Sequence, residues 1–122
     1  MTIPAPLGMI DRQDGAVVLA FTGELDLATT PDARAIALQA HEEAAAATRK
    51  LLVIDLRTVT FLASVGLELL ADHRARSTRT GVTIALVATT RTVTRVLDIT
   101  GVDALFTIYA DIETALADAR TS

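Results

Sequence analysis

Residues 51–70 read LLVIDLRTVTFLASVGLELL, and this stretch decides the fold of the chain. It opens with residues 51–56, a nearly continuous apolar run that is typical of a central strand covered on both faces. A second apolar segment, residues 59–62, leads to Ser64, and the spacing beyond it predicts a helix. The predicted inward stripe of that helix consists of four apolar residues at helical spacing, namely Leu67, Leu70, Ala71 and Ala75.

Upstream of this stretch, the pattern predicts a β-hairpin. Asp14 and Gly15 form a turn signal between a weak apolar segment at residues 7–10 and a strand at residues 16–21. Gly23 is expected to break the second of these strands, so that a loop opens directly after it.

The first helix is predicted to begin at Thr30 and to run to about Ala47. Thr30 can cap backbone N–H groups, and Pro31 suits the first helical position because its φ is already set. Asp32 favours the positive end of the helix dipole. The many alanines of this segment add high helix propensity.

Downstream, strands and helices continue to alternate. The predicted elements are a strand at residues 82–87 after Gly81, a helix from about Arg91 to Gly101, and a short strand at residues 106–109. Asp111 can cap a final helix. The residues expected to share its inward face are Ile112, Ala115, Leu116 and Ala119.

The order of elements is therefore β-β-α-β-α-β-α-β-α, which indicates the α/β class. Strands that alternate with helices imply right-handed crossovers and a mostly parallel, mixed sheet of about five strands with about four helices. The first strand is expected at an edge, antiparallel to its neighbour. We expect residues 1–122 to form a single domain with its core at about residues 8–119.

Composition excludes several classes of function. There is no Cys, and the net charge is −4, with eleven basic residues spread thinly along the chain. Nucleic-acid binding needs clustered Lys and Arg, so we expect no nucleic-acid partner. No apolar run reaches ~18 residues, so no membrane span is predicted. Residues 1–9 lack the basic head and apolar core of a secretory signal, and we expect a cytoplasmic protein.

Ser64 is the candidate functional residue, with two interpretations. Serine is a favoured helix N-cap, and Gly66 permits close packing, so the local pattern alone favours a structural role. However, Leu62, Ala63 and Val65 flank the hydroxyl, and exposed apolar residues around a hydroxyl indicate a contact surface.

A catalytic serine is disfavoured by the same segment. Leu62 occupies the first glycine position of a G-x-S-x-G elbow. His73 lies nine residues along the helix, an axial distance of roughly 13 Å, beyond hydrogen-bond reach. His41 lies in mid-helix among Ala and Glu, where we expect a solvated surface histidine. No catalytic residue is therefore assigned.

A phosphoaccepting aspartate and a metal site are also disfavoured. Asp55 follows an apolar strand as in receiver domains, but no acidic pair ends the first strand, and the only lysine is Lys50. We expect Asp55 to accept hydrogen bonds from neighbouring loop backbone. No glycine loop for phosphates is present, so no cofactor is predicted. The acidic residues too scattered for a metal motif are Asp26, Asp32, Asp55 and Asp72.

The chain resembles the STAS domain family, and within it the free-standing anti-sigma-factor antagonists. The likeness covers about residues 8–119. The segments that carry it are residues 23–26 with the following Thr and Pro, residues 52–56 through 59–62, residues 64–67, and more weakly residues 92–101.

The resemblance implies a binding protein, not an enzyme. Such proteins bind an anti-sigma factor that is also an ATP-dependent serine kinase, and so release a sigma factor for transcription. The kinase phosphorylates the serine that corresponds to Ser64, which switches the antagonist off, and a PP2C-type phosphatase restores it. The family often has Asp before this serine and Ser or Thr after it, whereas this chain has Ala63 and Val65.

We predict a partner surface formed by two loops. In a parallel α/β sheet, loops that follow strands gather at one edge, where ligands bind. The predicted partner-binding residues are Glu24, Asp26, Leu27, Thr29, Ala63, Ser64, Val65 and Gly66. The alternative is a STAS scaffold or subunit without a phosphorylation cycle, in a signalling assembly or a lipid-transport complex.

Overall fold

The computed structural model describes residues 7–118. Within them five strands form one sheet in the order β1-β2-β3-β4-β5. β1 is antiparallel to β2, and every other neighbouring pair is parallel. This confirms the predicted mixed α/β sheet with an antiparallel edge strand. Ala119, predicted for the inward face of the last helix, lies outside the described residues.

The predicted hairpin is confirmed. β1 (Gly8–Gln13) and β2 (Ala16–Leu25) are joined by the two residues Asp14 and Gly15. Both have positive φ, 51° and 77°. A two-residue turn with left-handed backbone matches the right-handed twist of paired strands, which is why Asp-Gly is favoured there.

Gly23 does not end β2 as predicted. The strand continues to Leu25, and Gly23 takes a φ of 87°, with a register shift between it and Glu24. A glycine in the left-handed region lets a strand absorb such an irregularity without losing its partner. The strand therefore bends at Gly23 and stays paired with β3.

β3 (Leu51–Leu62) is one long strand where the pattern predicted two apolar segments. Asp55 therefore lies within the strand and not at its end. β4 (Thr83–Val87) pairs with β3 only as far as Asp55, whereas β2 pairs with β3 as far as Leu62. The carboxyl ends of β2 and β3 thus form a two-stranded extension beyond β4.

Helices cover the two faces of the sheet unequally. α1 (Thr30–Ala46), α2 (Ser64–Thr80) and α3 (Arg91–Thr100) pack on one face, and α4 (Ile112–Asp118) packs on the other. A 3₁₀ turn (Val102–Leu105) follows α3 and leads to β5 (Thr107–Tyr109).

The central strand is apolar on both faces because both faces are covered. Ile54 lies in the large core cluster beneath α1, α2 and α3, and its neighbour Val53 lies in the smaller cluster beneath α4. Successive side chains of a strand point to opposite faces, so covering both faces requires an unbroken apolar run.

The ends of the helices correct one predicted cap and confirm another. Thr30 is not the cap of α1: the N-cap position is Thr29, and the Thr30 hydroxyl donates to the carbonyl of Asp26. Asp111 does cap α4, because its carboxylate accepts the backbone N–H of Thr114 at 2.6 Å. That hydrogen bond lowers the pKa of the Asp111 carboxyl.

The inward face of α2 differs in part from the predicted stripe. Leu67 and Leu70 are buried, but Ala75 is exposed. Leu69 and His73 are buried as well. The helix therefore turns one histidine towards α1. No helix among residues 7–118 is long and apolar enough to cross a membrane.

We expect Ile54→Ala to destabilise the fold by about 2–5 kcal/mol, because it removes buried methyl groups and leaves a cavity in a fully covered position. The matched control is Ile99→Ala on α3, where the side chain is 71% exposed, with an expected change within about 0.5 kcal/mol. Urea denaturation measures both values. Equal losses in the two variants would contradict this arrangement of the core.

Candidate functional site

The two predicted partner loops lie side by side at the carboxyl edge of the sheet. Glu24 pairs with Phe61, and Leu25 pairs with Leu62, so β2 and β3 end at the same level. The Ala63 N–H then donates to the Leu25 carbonyl at 2.9 Å, which ties one loop to the other. The parallel sheet thus brings together the residues that the sequence placed in two separate segments.

Asp26 and Thr29 shape the first loop from within. The Asp26 carboxylate accepts the N–H groups of Ala28 and Thr29, each at 3.0 Å. The Thr29 hydroxyl accepts the Asp26 N–H at 2.9 Å and donates to the Glu24 carbonyl at 2.8 Å. Of the predicted contact residues, these two are therefore engaged in holding the loop, and they present Leu27 between them.

Ser64 is the first residue of α2 and not its cap. The N-cap is Ala63, whose extended backbone begins the helix, with no side-chain hydrogen bond to the first turn. Ser64 is exposed, and its hydroxyl makes no hydrogen bond within residues 7–118. The structural interpretation of this serine as a helix cap is therefore wrong. The hydroxyl is available at the start of a helix.

Gly66 allows the first turn of α2 to pack closely against the two-stranded extension formed by β2 and β3. A Cβ at this position would lie 2.7 Å from Leu62 Cδ1, 3.2 Å from Leu25 Cβ and 3.3 Å from the Leu25 carbonyl oxygen. Gly66 and Leu62 are both buried, so neither offers contact surface. Ala63 and Val65, in contrast, are partly exposed beside Ser64.

Two large apolar side chains stand out at these loops. Leu27 is 79% exposed, and Phe61 is 49% exposed at the end of β3. Phe61 was not among the predicted contact residues, although its apolar segment, residues 59–62, leads directly to Ser64. Its exposure follows from the two-stranded extension, where β4 no longer flanks β3.

The charged side chains in the two loop segments beside Ser64 are all acidic. Residues 24–29 and 61–68 contain Glu24, Asp26 and Glu68 and neither Lys nor Arg. Glu24 and Glu68 are exposed. The surface therefore combines exposed apolar side chains with an acidic rim.

The histidines do not contact Ser64. The prediction that His41 is solvated is wrong, because it is buried between α1 and α2. Its ring bonds to His73 and to Thr80 instead. The sequence could not show this, since the pair joins residues on different helices.

Asp55 is held by its own strand. Its carboxylate accepts the Arg57 backbone N–H at 3.0 Å, so the donor is backbone of the strand and not of a loop as predicted, and it also accepts hydrogen bonds from Nε and Nη2 of the Arg57 guanidinium, each at 3.0 Å. The side-chain hydrogen bond to Asp55 raises the pKa of Arg57. Within residues 7–118 no group of three or more histidine or acidic side chains is placed to hold a metal ion.

A cleft of about 810 Å³ lies elsewhere, lined among others by Arg12, Gly15 and Thr48. These residues belong to the hairpin turn region and to the chain beyond the end of α1, at the amino edge of the sheet. The cleft and the Ser64 loops therefore lie at opposite edges of the sheet.

The STAS domain model of protein families matches residues 9–115. The chain belongs to the STAS domain family. The match extends from β1 into α4 and so covers all five strands. The resemblance that rested on four sequence segments is thereby confirmed.

Named relatives within this family are anti-sigma factor antagonists. The chain is 36% identical over 109 residues to the anti-sigma-F factor antagonist RsfB of Mycobacterium tuberculosis, covering 88% of this chain and 84% of the relative. The crystal structure of an anti-sigma factor antagonist from Mycobacterium paratuberculosis has a TM-score of 0.83 at 29% identity, with 97% and 99% covered. Unphosphorylated SpoIIAA of Bacillus has a TM-score of 0.74 at 19% identity, with 94% and 97% covered, and shows the fold alone.

We expect Gly66→Ala to destabilise the domain by about 1–3 kcal/mol, because the added methyl overpacks against Leu25 and Leu62. In an unpacked helix the same change stabilises by roughly 0.5–1 kcal/mol, so the sign of the effect is diagnostic. Urea denaturation measures it.

The control is the same change in a Leu62→Ala background, where the nearest contact is absent and the cost of Gly66→Ala should shrink. An alanine at position 66 that stabilises the otherwise unchanged protein would contradict the close approach of α2 to β2.

Proposed function

We propose that this chain is an anti-sigma-factor antagonist, a single STAS domain of the cytoplasm that binds an anti-sigma factor through the two loops beside Ser64. Phosphorylation of Ser64 switches it off, and it thereby controls the release of a sigma factor and transcription. The observation that carries the proposal is the exposed Ser64 hydroxyl, without a hydrogen bond in residues 7–118, at the edge where the two loops also expose Leu27 and Phe61.

The mycobacterial relatives support the choice of partner. Both are described as antagonists of anti-sigma factors, and their likeness to this chain extends across nearly its whole length. In this proposal the chain acts as a binding protein, and its site offers a contact surface. The kinase and phosphatase reactions are carried out by partner proteins.

A phosphate on Ser64 is compatible with the fold. At the start of α2 it faces backbone N–H groups that have no partner inside the helix, and the helix dipole favours negative charge there. The hydroxyl that would carry it is exposed, so no buried contact has to break. The domain therefore remains folded in both states.

The same phosphate is unfavourable for binding. It adds about two negative charges to a surface whose ionised groups, Glu24 and Glu68, are already acidic. Burying that charge against a partner without matching cations costs several kcal/mol. Since about 1.4 kcal/mol is tenfold in affinity, the modification is sufficient for a switch.

The proposed cycle needs two partner enzymes. The anti-sigma factor itself acts as the serine kinase and brings ATP, and a PP2C-type phosphatase removes the phosphate. Ala63 and Val65 stand where the family often has Asp and a hydroxyl residue, so kinase recognition rests on the remaining surface. Ser64 is the single hydroxyl residue between Phe61 and Leu67.

We expect Ser64→Ala to bind the cognate anti-sigma factor as the unchanged protein does and to resist inactivation by the kinase and ATP. Ser64→Glu should bind at least about tenfold more weakly, because its carboxylate must lose water at the interface. Both variants should keep their stability within about 0.5 kcal/mol, since the Ser64 hydroxyl makes no hydrogen bond to any of residues 7–118 that the substitution could remove.

Partner titration by calorimetry and thermal melts measure these effects, and peptide mapping after incubation with kinase and ATP locates the phosphate. Phosphate on Thr60 instead of Ser64 would overturn the assignment. Strong binding by an unphosphorylatable Ser64→Ala together with no phosphate on the unchanged protein would favour the scaffold function.

We expect Leu27→Ala and Phe61→Ala each to weaken binding of the anti-sigma factor by about tenfold or more, because large exposed apolar side chains anchor protein interfaces. Leu27→Ala should leave stability unchanged, since the side chain contributes little to the core. The control is Ile99→Ala, which truncates a large apolar side chain of α3 that is 71% exposed. Loss of affinity in all three variants, or in none, would argue against this surface.

A further inference from the structure

Two buried histidines join α1 to α2 in the middle of the fold. His41 on α1 is 1% exposed, and His73 on α2 is 5% exposed. Their Nδ1 atoms are 3.1 Å apart, and the ring centroids are 5.2 Å apart. The partner-binding surface uses neither residue, so this pair has no role in the site described above.

The geometry of the pair limits how many protons it can hold. A hydrogen bond between two Nδ1 atoms needs one ring to donate and the other to accept. His41 Nε2 is fixed in addition by the Thr80 hydroxyl at 2.8 Å. If both rings were cationic, two N–H groups would face each other at 3.1 Å. The pair is therefore intact when both rings are neutral, tolerates one extra proton, and breaks with two.

The surroundings keep both rings neutral at pH 7. Burial, followed by the charges of His41 and Arg76, lowers the pKa of His73 to about 4. Burial also lowers the pKa of His41, with Arg76 as the second cause.

The charged groups that act on the pair come from both helices. Arg76 on α2 and Arg34 on α1 oppose protonation, whereas Glu42 on α1 and Asp72 on α2 favour it. Arg34 and Asp72 are also paired with each other at 2.8 Å, so their effects largely cancel. The face of the sheet beneath both helices contributes side chains of the large apolar cluster. Burial is therefore the largest influence on both rings, followed by Arg76 for His41 and by His41 for His73.

We propose that the His41–His73 pair is a proton-sensitive latch between α1 and α2, closed while both rings are neutral and opened by acid. α2 begins at Ser64, so the latch acts on the helix whose first residue is Ser64. The inference stands independently of the proposed function, because it concerns a contact within this chain and needs no partner to test.

The direction of the pH effect follows from proton linkage. An unfolded histidine titrates near pH 6.5, and both folded rings titrate lower. The unfolded chain therefore binds more protons as the pH falls below 6.5. The stabilisation by the latch is complete above that pH and is lost as the pH falls towards 4, by about tenfold in the unfolding equilibrium constant per pH unit for each proton taken up.

His73→Asn tests the latch, because the asparagine amide keeps a hydrogen-bonding group near the position of Nδ1 and does not titrate. Between pH 6.5 and pH 4.5 the unfolding constant of the unchanged protein should rise about tenfold per pH unit more than that of the variant. The matched control is Thr78→Asn at an exposed position of α2, which should retain the full pH dependence. Urea titrations at each pH measure the constants. Identical pH dependence of the unchanged protein and of His73→Asn would overturn the latch.

Nuclear magnetic resonance of the unchanged protein decides the question even if His73→Asn fails to fold. The chain has two histidines, so two ring signals are to be followed. The His73 ring signal should keep the chemical shift of a neutral imidazole from pH 7.5 to pH 5. Of the two Nδ1 atoms that face each other, one should carry a proton and the other should carry none. A His73 ring that titrates near pH 6.5 would overturn the latch.

Discussion

The parallel pairing of β2 with β3 beyond the end of β4 is the constraint on which the candidate site depends. It carries Leu25 and Leu62 to the same level, so the two loops that follow leave the sheet as neighbours. The hydrogen bond from Ala63 to Leu25 and the close approach of Gly66 then fix where α2 begins. Ser64 owes its place on the surface to backbone pairing, whereas its own side chain makes no hydrogen bond within the described part of the chain.

The fold could be predicted because its signals are local. An Asp-Gly turn, an apolar central strand and glycines after helices each act over a few residues, and together they specify the element order. The failures occur where backbone pairing outweighs side-chain pattern. Gly23 marked a strand end, but pairing with β3 carries the strand past it. Arg57 and Thr58 divided β3 in the pattern, yet the ladder continues through them.

The candidate site could be predicted only in part. Ser64 and the two loops follow from topology, since strands of known direction bring their ends together. The exposure of Phe61 and the burial of His41 do not follow from topology, because each depends on whether another helix or strand covers the side chain. His41 lies on the Ala-rich helix α1, and its sequence neighbour is a glutamate. Its imidazole is buried because α2 packs against α1 at this point and places His73 within hydrogen-bond distance. Tertiary packing supplied this information.

The unequal covering of the two faces has a consequence for local opening. β5 has three residues, and α4 covers the smaller cluster with Ala115 and Leu116 buried beneath it. β5 and α4 together bury little, so we expect them to detach at a lower free energy than the whole domain and their amide protons to exchange with solvent first. We expect the amides of β2 and β3, which are interior strands of the sheet, to exchange only through global unfolding. Ser64 directly follows β3 and is therefore anchored to the part of the chain that we expect to exchange slowest.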